Sequence, residues 1–583
     1  MKGLIKKLLT VAMCSVFAIA QLTLGQSSTH DMHSMRAMTP QVPPPPPPNV
    51  CAIIPCQVPI PTQPHTPAQV RPFFDWFSWE SFIALNWPAL VTGGRVRRGQ
   101  ADTSKTVGDL SVPRVWESWK ADWELFRPAS TGNPNVPGTP SAWSSYDLDP
   151  NTPPCANPSA RVLVMSTKMD SVLNQINQAM GGPLIAQNCT YARYEIRVNE
   201  AEYNFIINPP PPNPPGKPFY IKANQPRSSA TTYPIDFTSS TTTTPFPLPS
   251  CDPSRNPCTY GAIEIKAAWR EFKPGEDTSR YYTVNALLLE SSNPSAPCRQ
   301  ATMGLVGLHI GHKVSAFREW VWSTFEHVDN VPPDSGFTPD TGTPPPDCSG
   351  AHAPFTFNNG YTTPPTTDGY SYEPTEVKPP LSPSPRPPVQ VKRNVPINYQ
   401  NQASPTTQEI NAQFQRALQG TVWQYYQLVV TQWPRASGQF KPYPQGRTTY
   451  PTSCDLPIPT DVTFSGIPSG EPIMAVANTT METYFQAPPS PPSPTTPSRA
   501  SCMSCHYLAS GQDFSFMLSM EAFVPPQQLR LMRSAPDPND PVQQLRQFLR
   551  KNRTEHVKDQ RQTLMRMQST QKSKQKSTQK KRP

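Results

Sequence analysis

Two cysteines and a histidine, Cys502, Cys505 and His506, stand in the order Cys-x-x-Cys-His. That order is the attachment signature of c-type haem, and each position has a restrictive task. The thiols add across the two vinyl groups of the porphyrin, and the two-residue spacer matches the distance between those vinyls. The residue that follows turns its imidazole to the iron as proximal ligand. In a chain of this composition the pattern arises by chance in roughly 0.4% of shuffled sequences, so it carries weight by itself. A zinc half-site would want a second paired Cys or His cluster, yet the nearest upstream cysteine is the isolated Cys454. A thioredoxin-like dithiol would want a strand and a helix around it, whereas Pro488 to Pro497 runs up to this one. The motif therefore predicts one covalent haem c on Cys502 and Cys505, with His506 as proximal axial ligand.

A haem also needs walls and an occupant for its second axial position. Residues 507–540 separate the motif from a basic tail, too short a stretch to bury a porphyrin alone, so the upstream body must supply a wall. Of the nine histidines, His30, His33 and His65 fall in a leader, His352 in a connector and His556 in the tail, which leaves His309, His312 and His327. Met517 and Met520 are the sulfur alternatives. Residues 304–312 and 320–328 read as two strands around a turn. Alternation puts Gly307, His309 and Gly311 on one face of the first strand, and Ser323, Phe325 and His327 on one face of the second. With odd positions paired to odd, His309 and His327 share a surface and His312 faces away. Gly307 and Gly311 would let a flat ring approach the backbone. The candidates for the second axial position are thus His309, His327, Met517 and Met520, beside an open or water-bound site.

The elements that must position these residues follow from periodicity. Phe73, Trp76, Trp79, Ile83 and Trp87 recur at helical spacing until Pro88, and Trp116, Trp119, Trp123 and Phe126 repeat the habit before Pro128; both stripes read as core rather than as a cofactor box. Strands are expected over 161–166, 194–199, 203–207, 262–269 and 281–289, which are rich in β-branched and aromatic residues. Thr406 with Glu409 has the form of a capping box and opens a long helix expected to run to Trp433, with Pro434 as its stop. The fold class expected is α+β: a β-rich central body with Trp-striped helices, long Pro-rich irregular loops, a haem-attachment segment near the C-terminus and a disordered basic tail.

Composition sets the boundaries. The chain has 583 residues, 79 of them proline, including the run Pro43 to Pro48, which must be an extended spacer. Lys2, Lys6 and Lys7 precede an apolar run ending in Ala18-Ile19-Ala20, the pattern of a secretory signal peptide over 1–20. A Pro-rich leader is expected over 21–67, the folded body over 68–486 with a Pro-rich connector at about 333–400, linker and haem segment over 487–540, and the tail over 541–583. No later stretch is apolar enough to span a bilayer, which predicts a periplasmic, secreted or cell-surface location. The net charge of +10 lies in the tail, which carries 13 Lys/Arg against Glu555 and Asp559. Basicity confined to a tail rather than a face reads first as a solvated, disordered segment, with contact to an anionic membrane, a cell-wall surface or an acidic protein as the alternative and no nucleic acid expected. In an oxidising compartment the simplest cysteine pairings are Cys51–Cys56, Cys155–Cys189, Cys251–Cys258 and Cys298–Cys348, leaving Cys454.

The segments FSWESFIALNWPA (77–89), IEIKAAW (263–269), GLVGLHIGHK (304–313), WVWSTFEHVDNVP (320–332), NTTMETYFQ (478–486) and SCMSCHY (501–507) together resemble a group of large exported bacterial proteins of the cytochrome c family. The resemblance covers scattered stretches from about residue 70 to 520. It implies one haem, with Cys502, Cys505 and His506 as its attachment site, and no particular substrate. Single-electron transfer to a redox partner protein is the function favoured, ahead of catalysis. A peroxidase-like or ligand-sensing protein with an open sixth site is the first alternative, although diheme peroxidases carry two attachment motifs and this chain one. A cell-surface binding protein with structural haem is the second. Glu264, Lys266 and Arg270 stand out as polar residues in a strand, with a buried salt bridge as their ordinary explanation.

Overall fold

Helix α1 (Pro67–Leu85) forms where the aromatic stripe predicts it and ends just before Pro88, whose missing N–H and restricted neighbour forbid another turn. Trp76, Trp79, Phe82 and Ile83 bury along it. A hairpin follows, β1 (Ala89–Thr92) and β2 (Arg95–Ala101), joined by Gly93 and Gly94. Both glycines have positive φ, +59° and +73°, the conformation a two-residue hairpin turn demands. The computed structural model describes residues 48–56, 58, 67–127, 132–146, 161–163, 184–209, 216–225, 260–288, 299–314, 320–341, 348, 353–361, 388–398, 403–433, 476–483, 486, 506, 515–520 and 522–525. The segment 1–20 expected as a signal peptide, the tail, Cys502 and Cys505 lie outside the described residues.

The body is built on one large sheet with strand order β10-β9-β8-β6-β5-β3. Its members are β3 (Lys120–Ala121), β5 (Arg193–Val198), β6 (Ile263–Phe272), β8 (Arg299–His312), β9 (Val321–His327) and β10 (Tyr426–Gln432). The long strand β8 pairs with β6 along one edge. Its other edge is shared by β9 and by β7 (Thr283–Leu288), and β7 in turn holds the short parallel strand β4 (Arg161–Leu163). Helices and largely antiparallel strands together make the α+β class expected from the sequence.

Several local expectations give way. The second Trp stripe is no helix: Trp116–Ser118 is a single 3-10 turn, followed by β3 and the one-turn helix α2 (Asp122–Leu125). Trp116 and Trp119 still bury, with Trp116 Nε1–H donating to Asn86 Oδ1 at 3.0 Å, while Trp123 is half-buried. Residues 203–207, expected as a strand, belong to helix α3 (Glu200–Ile207). The Asn199 side chain accepts from the Glu202 N–H, and this cap decides against the β-propensity of the sequence. The helix from Thr406 is real but short. The capping box forms and α4 (Thr407–Ala417) ends before Gly420, which takes φ +85°, after which Leu428-Val429-Val430-Thr431 pairs as β10. The body also begins upstream of residue 68: Cys51, Ile54 and Cys56 are buried, and Ile54 joins the main core. Parts of the connector pack on the body too, with Phe357, Val389 and Val391 buried together.

The cysteine pairing differs as well. Cys189 bonds to Cys348, 159 residues away, which overturns both Cys155–Cys189 and Cys298–Cys348. Neighbour pairing fails because the loop carrying Cys348 lies beside Cys189, where Lys273 Nζ donates to the Cys348 carbonyl at 2.8 Å. Cys51 and Cys56 are both disulfide-bonded. Cys155, Cys251, Cys258, Cys298 and Cys454 lie outside the described residues.

The two faces of the sheet differ. Toward α1 and α4 point Ile263, Ile265, Leu308, Ile310, Phe325 and Leu428, packed against Trp79, Phe82 and Phe414. Toward the other side point Glu264, Lys266, His309, Trp322, Thr324 and Glu326. Against this second face lie the segment 476–483 and His506.

Candidate haem-attachment site

Register decides which candidates meet. Strands β8 and β9 pair Gly307 with Glu326, His309 with Thr324, Gly311 with Trp322 and His312 with Val321, so odd positions face even ones. The expected odd-to-odd register is one residue out, and a slip of one moves every side chain of a strand to the opposite face. His309 therefore shares its face with Trp322, Thr324 and Glu326, while His327 alternates to the helix side, as does His312.

His327 is committed there. Its ring stacks on Tyr281 at 3.8 Å between centroids, Nε2 donates to the Arg280 carbonyl at 3.0 Å, and Nδ1 accepts from the Asp329 N–H at 3.1 Å. Both nitrogens are in use, and burial pushes its pKa down to about 3. His312 is buried against Phe77, with neither ring nitrogen hydrogen-bonded, and burial likewise pushes it down to about 3.

His506 comes to the polar face. Its ring lies 4.0 Å from that of Trp322 on β9 and 5.4 Å, edge-on, from Phe516, the first residue of helix α5 (Phe516–Met520). Met517 and Leu518 bury with Trp320 and Trp322 in an apolar cluster that also takes in Phe205, Phe219 and Tyr220. Of the downstream sulfur candidates Met517 is thus in this wall, while the side chain of Met520 is outside the description. The attachment segment is tied to the body at further points: Ser515 Oγ donates to Glu264 Oε2 at 2.8 Å, the Phe523 N–H donates to the Tyr220 carbonyl at 2.8 Å, and Gln225 Nε2 donates to the Leu518 carbonyl at 2.8 Å. His506 and residues 515–523 thus pack on the upstream body.

The glycines serve a different purpose from the one expected. A Cβ on Gly307 would stand 2.2 Å from Thr480 Oγ1, and one on Gly311 would meet the rings of Trp322 and Trp320 at 3.2 and 3.3 Å. The flat groups lying close to the backbone are the protein's own indoles, and Gly307 admits the 478–482 turn.

That turn is the part sequence reasoning missed. Asn478 donates through Nδ2 to Thr324 Oγ1 and the Phe325 carbonyl, both at 2.8 Å, and Thr479 donates from N–H and Oγ1 to Glu326 Oε2. Glu326 is itself ion-paired to the buried Arg393, whose Nε lies 3.3 Å from Asp334. So anchored, the turn sets Glu482 Oε1 3.4 Å from His309 Nε2. Burial alone would raise the Glu482 carboxyl, but His309, Lys266 and the Asn478 N–H together hold it below the usual carboxylate range. His309 Nε2 is buried and faces this carboxylate without a well-formed hydrogen bond to any of the described residues. The available signal was the Asn-Thr-Thr run followed by an acid four residues after Asn478, inside a stretch otherwise poor in charge.

Glu264 and Arg270, grouped in the sequence, part company in space. Arg270 pairs with Glu276 at 2.7 Å. No ion pair reaches Glu264 among the described residues; burial pushes it up to about 7, against the lowering effect of Ser515 and Lys266. Arg270 thus forms a salt bridge of the kind expected of this strand.

A haem suits this setting in kind. The imidazole of His506 stands among Trp322, Phe516, Met517 and Leu518, an aromatic and apolar wall, and His309, with one ring nitrogen unbonded, is on the same sheet face. Among the described residues no cluster of three or more His, Cys, Asp or Glu could hold a metal ion by itself, and no helix is long and apolar enough to cross a membrane. No protein-family profile, no curated protein and no solved structure matches the chain.

Proposed function

We propose that this chain is an exported c-type cytochrome: one haem covalently held by Cys502 and Cys505, with His506 as proximal ligand, passing single electrons to and from a partner protein outside the cytoplasm. The observation that carries the reading is the Cys-x-x-Cys-His motif with its histidine set against Trp322 and Phe516 on the polar face of the sheet. When bound, haem supplies a reversible one-electron couple. The chain's part is to hold the imidazole of His506, exclude water with Trp322, Met517 and Leu518, and fix the polar groups Glu264, Lys266 and His309 nearby, since hydrogen bonding and burial set the potential of such a centre. The compartment agrees with the Cys189–Cys348 disulfide, a bond that persists where the surroundings are oxidising.

One observation favours the peroxidase-like or sensing alternative. His309 stands on the same sheet face as Trp322 with Nε2 3.4 Å from Glu482 Oε1, an imidazole and a carboxylate close enough to work as an acid–base pair. An optical spectrum of protein exported from a host that attaches haem tests both readings. Covalent haem with low-spin bands indifferent to carbon monoxide is the expected result. Rapid carbon monoxide binding transfers the assignment to the open-site reading, and absence of covalent haem overturns both.

A further inference from the structure

Four strands cross at one level beneath the attachment segment. Val198 of β5 pairs with Glu264 of β6, Glu264 with Gly311 of β8, and Gly311 with Trp322 of β9. Only a glycine separates Glu264 from Trp322 on their common face. With neighbouring strands about 4.8 Å apart, their Cα atoms lie about 10 Å from each other. The attachment segment bridges the same gap from above: Ser515 hydrogen-bonds Glu264, the adjoining Phe516 meets His506 edge-on, and His506 packs on Trp322. Glu264, Ser515, Phe516, His506 and Trp322 thus form a closed ring over Gly311.

We infer that Glu264 is the proton-accepting group of this redox centre, its carboxyl taking up a proton when an electron arrives and releasing it when the electron leaves. This rests on the haem reading above. Two features beyond the ring support it. Among the described residues no ion pair reaches Glu264 and its hydrogen-bond donor is Ser515, so no close counter-charge there fixes its ionisation. Its carboxyl titrates near neutrality, so both protonation states are accessible without large cost. The charged and titratable groups around it are Lys266 on its own strand, Asp122 at the start of α2, His309 and Lys313 on and beyond β8, Glu482 in the overlying turn and His506 itself. Lys266 favours the ionised form and Asp122 opposes it. The Lys266 ammonium lies 5.4 Å from the Tyr194 ring and bears on Glu482 as well, so it is not committed to Glu264.

The step balances simply. A one-electron donor protein delivers the electron to the centre held by His506, water delivers a proton to a Glu264 oxygen, and the carboxylate becomes a neutral carboxylic acid. Net charge around His506 is unchanged, which is the physical reason for coupling in a site where unit charges interact strongly. On oxidation both leave.

The test is the midpoint potential of the haem-loaded full chain from pH 5 to 9, alongside Glu264→Gln and Ser515→Ala. The wild type is expected to show a potential that falls with pH across neutrality, by at most one proton per electron, and Glu264→Gln to lose that slope while keeping the acceptor oxygen for Ser515. Ser515→Ala removes a hydrogen bond that favours the ionised carboxylate, so the sloping region moves to higher pH. A slope unchanged in Glu264→Gln, or a wild-type potential flat over this range, overturns the inference while leaving the haem reading intact. Covalent haem content of the same samples separates the two failures: if none is attached, the haem reading falls and this one with it.

Discussion

Along β6, β8 and β9 the side chains turned toward the helices include Ile265, Ile310 and Phe325, and those turned the other way include Lys266, His309 and Thr324. One face is closed by ring packing: Trp79 stacks on Phe414 and meets Phe82 and Phe325 edge-on. The other is closed by hydrogen bonds from a turn, Asn478 to Thr324 and Thr479 to Glu326, and by the attachment segment. Dispersion and burial hold the first and tolerate exchange of similar shapes, whereas the second depends on every partner being present.

The largest effect separating the faces is chemical. Replacing Cys502 and Cys505 by serine abolishes covalent haem, seen as loss of the haem stain on a denaturing gel, while the far-ultraviolet dichroism of the body persists. Next in size, Phe82→Ala on the helix side costs about 3–5 kcal/mol in denaturant unfolding, because the ring leaves a cavity beside Phe325 and Trp423. On the polar side Glu326→Gln costs about 3 kcal/mol, since the buried Arg393 loses its closest counter-charge. Changing Glu326 and Arg393 together to apolar residues costs less than the sum of the two single changes, the signature of a shared desolvation penalty.

The faces also differ in the sign of their response to pH. His312, on the helix side, has a folded pKa of about 3 against an ordinary 6.5, so the unfolded chain binds more protons between those values and stability falls as pH drops from 6.5 toward 3. Glu264 has a folded pKa of about 7 against 4.5, so the folded state binds more protons in that window and stability falls as pH rises from 4.5 to 7. His312→Phe flattens the acid limb and Glu264→Gln the neutral one, each by up to about 1.4 kcal/mol per pH unit in unfolding measured over pH 3–8. The smallest effect is at the rim: Thr406→Ala removes the α4 cap and costs about 1 kcal/mol in the same assay.

Elements with strong local signals were legible in advance. The α1 stripe ending at Pro88, the Thr406–Glu409 capping box, and the alternating strands around 194–199, 263–269 and 283–288 are where sequence pattern places them. Errors fell where two local signals competed. Tyr203-Asn204-Phe205-Ile206-Ile207 has strand composition, yet the Asn199 cap with Glu202 three residues on makes it a helix. Trp116, Trp119 and Trp123 have helical spacing, but the chain there is a 3-10 turn, a short strand and a one-turn helix, with Trp116 held by Asn86, so the spacing did not mark one continuous helix. The Cys-x-x-Cys-His pattern on which the proposed function rests stands out in the sequence because covalent haem chemistry would restrict both residue type and interval. His309 was legible as a candidate, but its separation from His327 was not, because strand register is set by pairing between segments and alternation within one strand is blind to it.

The order of residues alone therefore determined the chemistry that Cys502, Cys505 and His506 can perform, the α+β class and the limits of its best-marked helices and strands. Tertiary structure decided which side chains share a space: His506 with Trp322, Glu264 with Ser515, His309 with Glu482, Cys189 with Cys348. The reason is that local pattern records how a segment buries one of its own faces, while these contacts join residues as far as 251 positions apart, as for Glu264 and Ser515, and depend on which segments close over which face of the sheet.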